Sequence, residues 1–187
     1  MGSEKTTWQK IARRIRVPLG FVFAAVFLWF AQPTARTLAA SLLMVAPGLW
    51  LRGYASGYVK KNTELTQTGP YAYTRNPLYL GSMMIAFGFA AASGRWSLLI
   101  TLTTLFLVIY LPTIRSEEQF LRSTFPGFDD YAARVPRLLP RLTAARTSAT
   151  AGVFSMERYR HHREYNALMG AAAIYAALLA RLFYSTH

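Results

Sequence analysis

The chain has 187 residues, enough for a single domain, and 53% of them are apolar whereas 16% are charged. Its net charge of +13 would favour nucleic-acid binding in a soluble domain, but the charges stand between apolar blocks, as in the cytoplasmic loops of membrane proteins. No cysteine occurs in the chain, which excludes disulfides, thiolate metal sites, cysteine nucleophiles and iron–sulfur clusters.

The N-terminal quarter of the chain predicts two membrane-spanning helices. A polar, basic stretch over 1–16 precedes a first apolar block over 17–31, and a turn around Pro33 leads to a second block over 37–51. Further apolar runs follow, so we interpret the first block as a retained helix and not as a signal peptide. Both blocks are near the short limit for a span, which is roughly 17 residues.

The rest of the chain predicts up to three more spans. A polar loop over 52–76 is followed by apolar blocks over 77–92 and 96–111, which a tight turn connects. Residues 113–165 are polar and rich in Arg, and a weakly apolar block runs over 167–184. We predict a fifth span for this last block, and a helix lying on the membrane surface is the alternative.

The distribution of Lys and Arg predicts the orientation. If the N-terminus is cytoplasmic, all but three of the 21 Lys and Arg residues fall in cytoplasmic segments, and the exceptions are Arg36, Arg95 and Arg181. This asymmetry predicts a multi-pass protein with a cytoplasmic N-terminus and two long cytoplasmic segments. A soluble cofactor would then bind on the cytoplasmic side.

A first cluster with possible chemistry covers residues 69–81. Gly69-Pro70 predicts a turn, and Pro77 predicts a helix start with its backbone N–H groups and positive dipole end. Arg75 and three tyrosines surround that helix start, so the cluster could hold a carboxylate and a flat ring. The structural alternative is a turn with interfacial tyrosines and one more cytoplasmic arginine.

A second cluster follows the fourth apolar block, where Arg115 precedes Glu117 and Glu118. Paired acids are unusual in a chain with only 8 Asp and Glu residues. They could bind a cationic ligand or pair with Arg75, or they could be solvated charges on a helix leaving the membrane.

Other segments carry no separate functional signal. Residues 129–140 predict a surface loop stiffened by prolines, and the adjacent His161 and His162 predict solvated side chains and no metal site. No Gly-x-Gly, P-loop or Gly-x-Ser-x-Gly motif occurs, which argues against a Rossmann nucleotide site and a hydrolase nucleophile.

Taken in order, these segments resemble the integral membrane methyltransferases related to isoprenylcysteine carboxyl methyltransferase, with the phospholipid methyltransferases as the broader group. The resemblance covers roughly residues 52–140. The residues that carry it are Gly69-Pro70-Tyr71, Arg75-Asn76-Pro77-Leu78-Tyr79-Leu80-Gly81, Glu117-Glu118, and Tyr131 through Val135-Pro136 to Pro140. Asn76 departs from the family pattern, because His is usual at that position.

The resemblance implies an all-α fold: an integral membrane bundle of about five transmembrane helices with a cytoplasmic cofactor pocket. One methyltransferase domain would cover 1–187. Within it, 1–51 would be an N-terminal helical hairpin, 52–140 the catalytic core, and 141–187 a C-terminal segment with the last transmembrane helix.

The implied activity is methyl transfer from S-adenosyl-L-methionine to a lipophilic acceptor in the membrane, such as a prenylcysteine-like carboxylate. The expected partners are the lipid bilayer and a lipophilic or lipidated substrate, and neither nucleic acid nor metal. A phospholipid amine, a small thiol, or a non-catalytic scaffold with a degenerate site are the alternatives. The implied catalytic residues are Arg115 and Arg75, and the implied cofactor-binding residues are Glu64, Leu65, Tyr71, Asn76, Pro77, Leu78, Tyr79, Glu117 and Glu118.

Overall fold

The computed structural model describes residues 22, 24–60, 63–146 and 152–186, and the regular structure within them is helical. The helices, in chain order, are α1 (24–30), α2 (Ala35–Tyr58), a short 3-10 turn (Gly69–Ala72), α3 (Pro77–Ala92), α4 (Trp96–Thr124), α5 (Phe128–Arg134), α6 (Met156–His161) and α7 (Tyr165–Thr186). The all-helical prediction is therefore confirmed over the part of the chain described.

Three of the described helices, α2, α4 and α7, are long and apolar enough to cross a membrane. α3 is apolar but has 16 residues, which at 1.5 Å per residue give a length of about 24 Å. The predicted stretch 1–16 and the start of the block 17–31 lie outside the described residues, and α1 is the described remainder of that block. Five spans therefore remain a prediction.

Two helices run further than their apolar blocks predicted. α2 does not end at Leu51 but continues to Tyr58, so the prediction of a polar loop from residue 52 is wrong. The ring of Tyr54 lies 5.1 Å from that of Trp50 and 5.0 Å from that of Tyr58, and this ladder at helical spacing extends the helix. α4 likewise extends past 111, through a π-helical turn at Phe106–Tyr110 just before Pro112, where proline supplies no N–H for the regular ladder.

α2 and α3 form a closely packed antiparallel pair because glycines face each other across it. A Cβ atom added at Gly48 would lie 2.9 Å from the carbonyl oxygen of Gly81, and one at Gly81 would lie 2.8 Å from that of Gly48. Small residues let the two backbones approach, as is usual between helices in lipid. The close approach brings Arg52 on α2 beside the first turns of α3, where its guanidinium contacts Leu78 and Ser82.

α7 packs against the same pair and completes the core. The buried side chains of this core include Phe27, Val45, Phe89 and Leu178, which come from α1, α2, α3 and α7. At the start of α7, both carboxylate oxygens of Glu164 accept hydrogen bonds from Arg52, at 3.0 and 2.9 Å. The ends of α2, α3 and α7 are thereby fixed together at the end of the bundle that carries residues 69–81.

Candidate functional site

The segment 131–145 is bound to residues 71–76 by a series of backbone contacts. The N–H of Arg75 donates to Pro136 O (2.9 Å), that of Arg141 to Tyr73 O (3.0 Å), and that of Ala145 to Ala72 O (2.9 Å). The sequence predicted only a surface loop over 129–140. The structure shows instead that this segment supports the turn from which α3 starts.

Two buried tyrosines join the same layers. The hydroxyl of Tyr131 on α5 donates to the carbonyl oxygen of Tyr71 (2.8 Å). Burial raises the pKa of both phenols well above the ordinary value, although Arg75 opposes the rise at Tyr131. Both side chains are therefore neutral near pH 7, where they can donate hydrogen bonds but are not bases.

Glu118 is the centre of a buried polar network. Its Oε1 accepts from Arg75 Nε (3.0 Å) and Asn76 Nδ2 (3.3 Å), and its Oε2 accepts from Arg137 Nε (2.9 Å). Asn76 Nδ2 also donates to the carbonyl oxygen of Arg137 (2.9 Å). Of the three roles that the sequence left open for the acid pair, the structure gives Glu118 the pairing with Arg75.

Arg75 is used by the protein itself. Besides its bond to Glu118, its Nη1 donates to the carbonyl oxygens of Ala132 (2.7 Å) and Val135 (3.0 Å). Its guanidinium carbon also lies 6.0 Å from the centre of the Phe128 ring. These contacts fix α5 and the residues that follow it against the start of α3. They also leave fewer guanidinium N–H groups to bind a ligand.

A cavity of about 270 Å³ opens beside this network. Its walls come from the end of α2, the loop after it, the first turn of α3 and the last turns of α4. Most of the residues predicted to form the site line it: Glu64, Leu65, Tyr71, Arg75, Asn76, Pro77, Leu78, Tyr79 and Glu117. We call this space the polar-edged cavity.

Glu117 and Tyr79 supply the paired polar groups of this cavity. The Tyr79 hydroxyl donates to Glu117 Oε1 (3.0 Å), and the Tyr79 ring packs edge-on against Tyr110 at 5.8 Å. Successive residues of an α-helix point about 100° apart, so Glu117 faces the cavity while Glu118 faces the arginines.

Two predicted residues lie elsewhere. Glu118 is buried in the network behind the cavity wall, and Arg115 is exposed on α4 outside the cavity lining. The sequence reasoning also missed lining residues. Phe120 and Leu121 follow Glu117 by three and four positions, so the helical period could have found them. Val59 and Lys60 were not singled out either. Tyr131 is one of the residues that carry the resemblance, and Thr66 belongs to the stretch 63–66, onto which the resemblance also maps cofactor residues.

A second cavity, of about 810 Å³, lies on the other side of the Gly69–Ala72 turn. Its walls are mainly apolar and include Pro47, Leu80 and Met84 from the α2–α3 pair, and we call it the apolar cavity. Gly69 has a φ of +59°, and a Cβ there would lie 2.6 Å from the ring of Tyr58. Glycine is thus required for the turn that separates the two cavities.

The prediction that both side chains of the histidine pair are solvated is wrong for His162. His162 is partly buried, and its Nδ1 lies 3.1 Å from the carbonyl oxygen of Ser56. The residue follows the last turn of α6, which packs against the end of α2. Across the described ranges, no group of three or more His, Cys, Asp or Glu side chains is placed to hold a metal ion.

Comparisons with known proteins identify one family and two similar proteins. The sequence profile of the phospholipid methyltransferase family matches residues 38–127. The nickel-cobalt-cadmium resistance protein NccN of Alcaligenes xylosoxydans xylosoxydans is 35% identical over 144 residues, which are 72% of this chain and 67% of that protein. The cobalt-zinc-cadmium resistance protein CzcN of Cupriavidus metallidurans is 37% identical over 117 residues, which are 63% of this chain and 53% of that protein. No solved structure matches the chain.

Proposed function

Because this chain belongs to the phospholipid methyltransferase family, we propose that it transfers a methyl group from S-adenosylmethionine to a lipophilic acceptor in the membrane. Family membership supports methyl transfer as the type of reaction. The observation that supports the cofactor is the polar-edged cavity, where a carboxylate, tyrosine rings and a helix start line one space.

The polar-edged cavity is the proposed cofactor site. S-adenosylmethionine carries a sulfonium cation and an ammonium group, and the carboxylate of Glu117 would attract either of them. The rings of Tyr79 and Phe120 offer faces to the adenine, and the first turn of α3 offers backbone N–H groups to the cofactor's carboxylate. We assign Arg75 to shaping this site, because its guanidinium is bonded to Glu118 and to two carbonyl groups.

The apolar cavity is the proposed acceptor site. Its walls on α2 and α3 suit a prenylated or lipid-like molecule that enters between helices. The Gly69–Ala72 turn borders both cavities, so the acceptor atom would have to reach the methyl group of the cofactor at the edge of this turn. The role of Arg115 near the acceptor remains a prediction.

The reaction would be an in-line displacement, in which the acceptor atom bonds to the methyl carbon as the carbon–sulfur bond breaks and sulfur keeps the electron pair. Such a step depends mainly on alignment of the two reactants. A carboxylate acceptor needs no general base, and an amine would have to arrive neutral. The buried tyrosines, whose pKa values are raised, are consistent with a site that works without a base.

The proposed molecule is a single membrane domain of about five spans over 1–187, with its N-terminus and cofactor site in the cytoplasm. The Lys and Arg distribution supports this orientation. The shortness of α3 is compatible with a span if polar residues at its ends extend to the interface.

Calorimetric titration of the detergent-purified protein with S-adenosylhomocysteine tests the proposal. We expect saturable binding of one molecule per chain, and weaker binding to a Glu117→Gln variant when S-adenosylmethionine is the ligand. An exchange of Asp129, an acid outside both cavities, for Asn is the matched control. A wild-type protein that binds neither compound would favour the non-catalytic scaffold.

The names of the two curated relatives favour a second proposal, a contribution to metal resistance. We propose that such a contribution depends on methyl transfer to a membrane component and not on a metal site of this chain. Growth in nickel, cobalt or cadmium salts would then be lost with the deletion and with a variant that no longer transfers methyl groups. Full resistance conferred by that variant, shown to lack methyl transfer, would separate resistance from the enzyme activity.

A further inference from the structure

Residues 137–146, which we call the Arg–Leu segment, expose apolar side chains to the surroundings of the protein. Leu142 is 100% exposed and Leu139 is 76% exposed. Pro140 between them is exposed as well. Full exposure of leucines on an ordered segment is unfavourable in water, and clusters of this kind mark surfaces that contact an apolar partner.

The same segment carries a concentration of positive charge. Arg141 and Arg146 belong to it, and Arg134 at the end of α5 lies against it. Arg134 Nη1 donates to the carbonyl oxygen of Arg146 (2.7 Å), and Arg141 Nη1 donates to that of Arg134. Carbonyl oxygens carry no net charge, so these contacts orient the guanidinium groups without neutralising them.

The position of the segment relates it to the apolar part of the helices. Pro140 and Ala144 line the apolar cavity together with Pro47 and Met84. Met84 lies about two helical turns inside α3, and Pro47 lies well inside the apolar helix α2. The Arg–Leu segment therefore lies beside the positions at which α2 and α3 become apolar.

The segment is also held in place. The backbone bonds from Arg141 N to Tyr73 O and from Ala145 N to Ala72 O attach its middle and its C-terminal end to the chain that precedes α3. Leu139 and Leu142 thus project from a fixed position. A fixed segment that carries both apolar and charged side chains beside an apolar layer suits the lipid–water interface of a membrane. It suits a partner that the protein would have to enclose less well.

We propose that the Arg–Leu segment is an interfacial contact with the anionic membrane surface, in which Leu139 and Leu142 enter the headgroup–acyl boundary and Arg134, Arg141 and Arg146 contact lipid phosphates. Arginine near an anionic leaflet is attracted to it, and leucine side chains gain by leaving water. This contact would place a lipid surface at the mouth of the apolar cavity. The inference concerns the position of the protein in the membrane and holds whether or not the chain transfers methyl groups.

Spin labelling tests the contact directly, since the chain contains no cysteine. The full chain with Leu142→Cys or Leu139→Cys is labelled with a nitroxide and reconstituted in phosphatidylcholine vesicles with and without phosphatidylglycerol. Power saturation then compares the accessibility of each label to oxygen, which partitions into lipid, with that to a water-soluble nickel chelate. Ser123→Cys is the matched control, because Ser123 is exposed near the end of α4 and lies outside the Arg–Leu segment.

We expect the oxygen-to-nickel ratio at both leucine positions to be several-fold above that at Ser123 in vesicles with phosphatidylglycerol. Replacing Arg141 and Arg146 by Gln should lower that ratio in these vesicles and have little effect without anionic lipid. A ratio at Leu142 equal to that at Ser123 in both lipids would overturn the proposal. Dipolar broadening at Leu142 that disappears on dilution with unlabelled protein would also overturn it, by assigning the surface to a second copy of the chain.

Discussion

Glu117 and Glu118 are adjacent on α4, yet they have different surroundings. Glu117 is exposed, lines the polar-edged cavity and accepts a hydrogen bond from Tyr79. Glu118 is only 6% exposed and lies between Arg75, Arg137 and Asn76. The same change, carboxylate to amide, should therefore affect ligand binding at one position and folding at the other.

Glu117→Gln should weaken the binding of S-adenosylmethionine by roughly fivefold, because it removes a partly solvated attraction worth about 1 kcal/mol. The affinity for S-adenosylhomocysteine, which lacks the sulfonium charge, should fall less. Calorimetry of both ligands with wild type and variant measures the difference. Equal losses of affinity for the two ligands would mean that Glu117 does not interact with the sulfonium charge.

Glu118→Gln should lower the free energy of unfolding by about 3 kcal/mol, because breaking a buried ion pair leaves Arg75 buried without its anion. The lower end of the usual range applies since the Arg137 side chain is 44% exposed and can turn to water. If Glu118 bound the cofactor, as the family resemblance implied, this variant would instead lose cofactor affinity with little loss of folded protein. Denaturation of ligand-free Glu118→Gln decides between the two, with Glu117→Gln as the matched control.

Asn76→Ala should reduce cofactor affinity and lower the free energy of unfolding by about 1–3 kcal/mol, because it removes one donor to the Arg137 carbonyl and one donor to Glu118. Asn76→His should be tolerated, since an imidazole N–H at this position can replace one of the amide donors. Titration of the three proteins in one detergent is the measurement. If only Asn76→His binds the cofactor, the natural site is a relic of the enzyme family.

The packing of α2 against α3 depends on glycine more than on large side chains. Gly48 and Gly81 meet backbone to backbone, and this contact sets the distance between Arg52 and the first turn of α3. Since that turn forms one wall of the polar-edged cavity, the helix pair determines the shape of the site. Gly170 on α7 is different, because an added Cβ there would meet nothing within 4 Å.

Gly81→Ala should destabilise the protein by about 1–3 kcal/mol, because the new methyl group would overlap the Gly48 carbonyl and force the helices apart. Gly170→Ala is the matched helical control and should be neutral or stabilising by up to about 1 kcal/mol, since alanine favours the helix. Thermal unfolding of both variants tests this. If Gly81→Ala were as stable as the wild type, the α2–α3 contact would have room for a side chain.

At the scale of the whole molecule, the distribution of Lys and Arg predicts the orientation in the membrane, whereas an ion pair holds helices of the bundle together. Three of the described helices can cross a membrane, and the bond between Arg52 and Glu164 ties α2 and α3 to the start of α7. The end of the bundle that carries residues 69–81 also carries most of the arginines of the C-terminal half. On charge asymmetry, this end should face the cytoplasm.

A single cysteine at Thr63, in the loop after α2, should react with a membrane-impermeant thiol reagent only after the cells are broken. The chain has no other cysteine, so the background is low. A cysteine at Arg95, in the turn between α3 and α4, is the matched control and should react in intact cells. Labelling of Thr63→Cys from outside intact cells would contradict the predicted topology.

The sequence by itself determined the helical class, the apolar helices and the start of α3 at Pro77, because these depend on local runs of residues and on proline geometry. It also identified most of the residues that line the polar-edged cavity, since the family pattern fixes which residues recur together. The ends of α2 and α4 were predicted too early, because hydropathy marks where a helix leaves an apolar region and not where its hydrogen bonds stop.

Only the tertiary structure decided which acid of the pair faces the cavity and what Arg75 binds. Arg75 and Glu118 are 43 residues apart, and Asn76 and the Arg137 carbonyl are 61 residues apart. No local pattern specifies such pairs. They form because packing of α3, α4 and α5 buries charged groups together, and a buried charge must find a partner within reach. The same packing turned the predicted loop over 129–140 into part of the site.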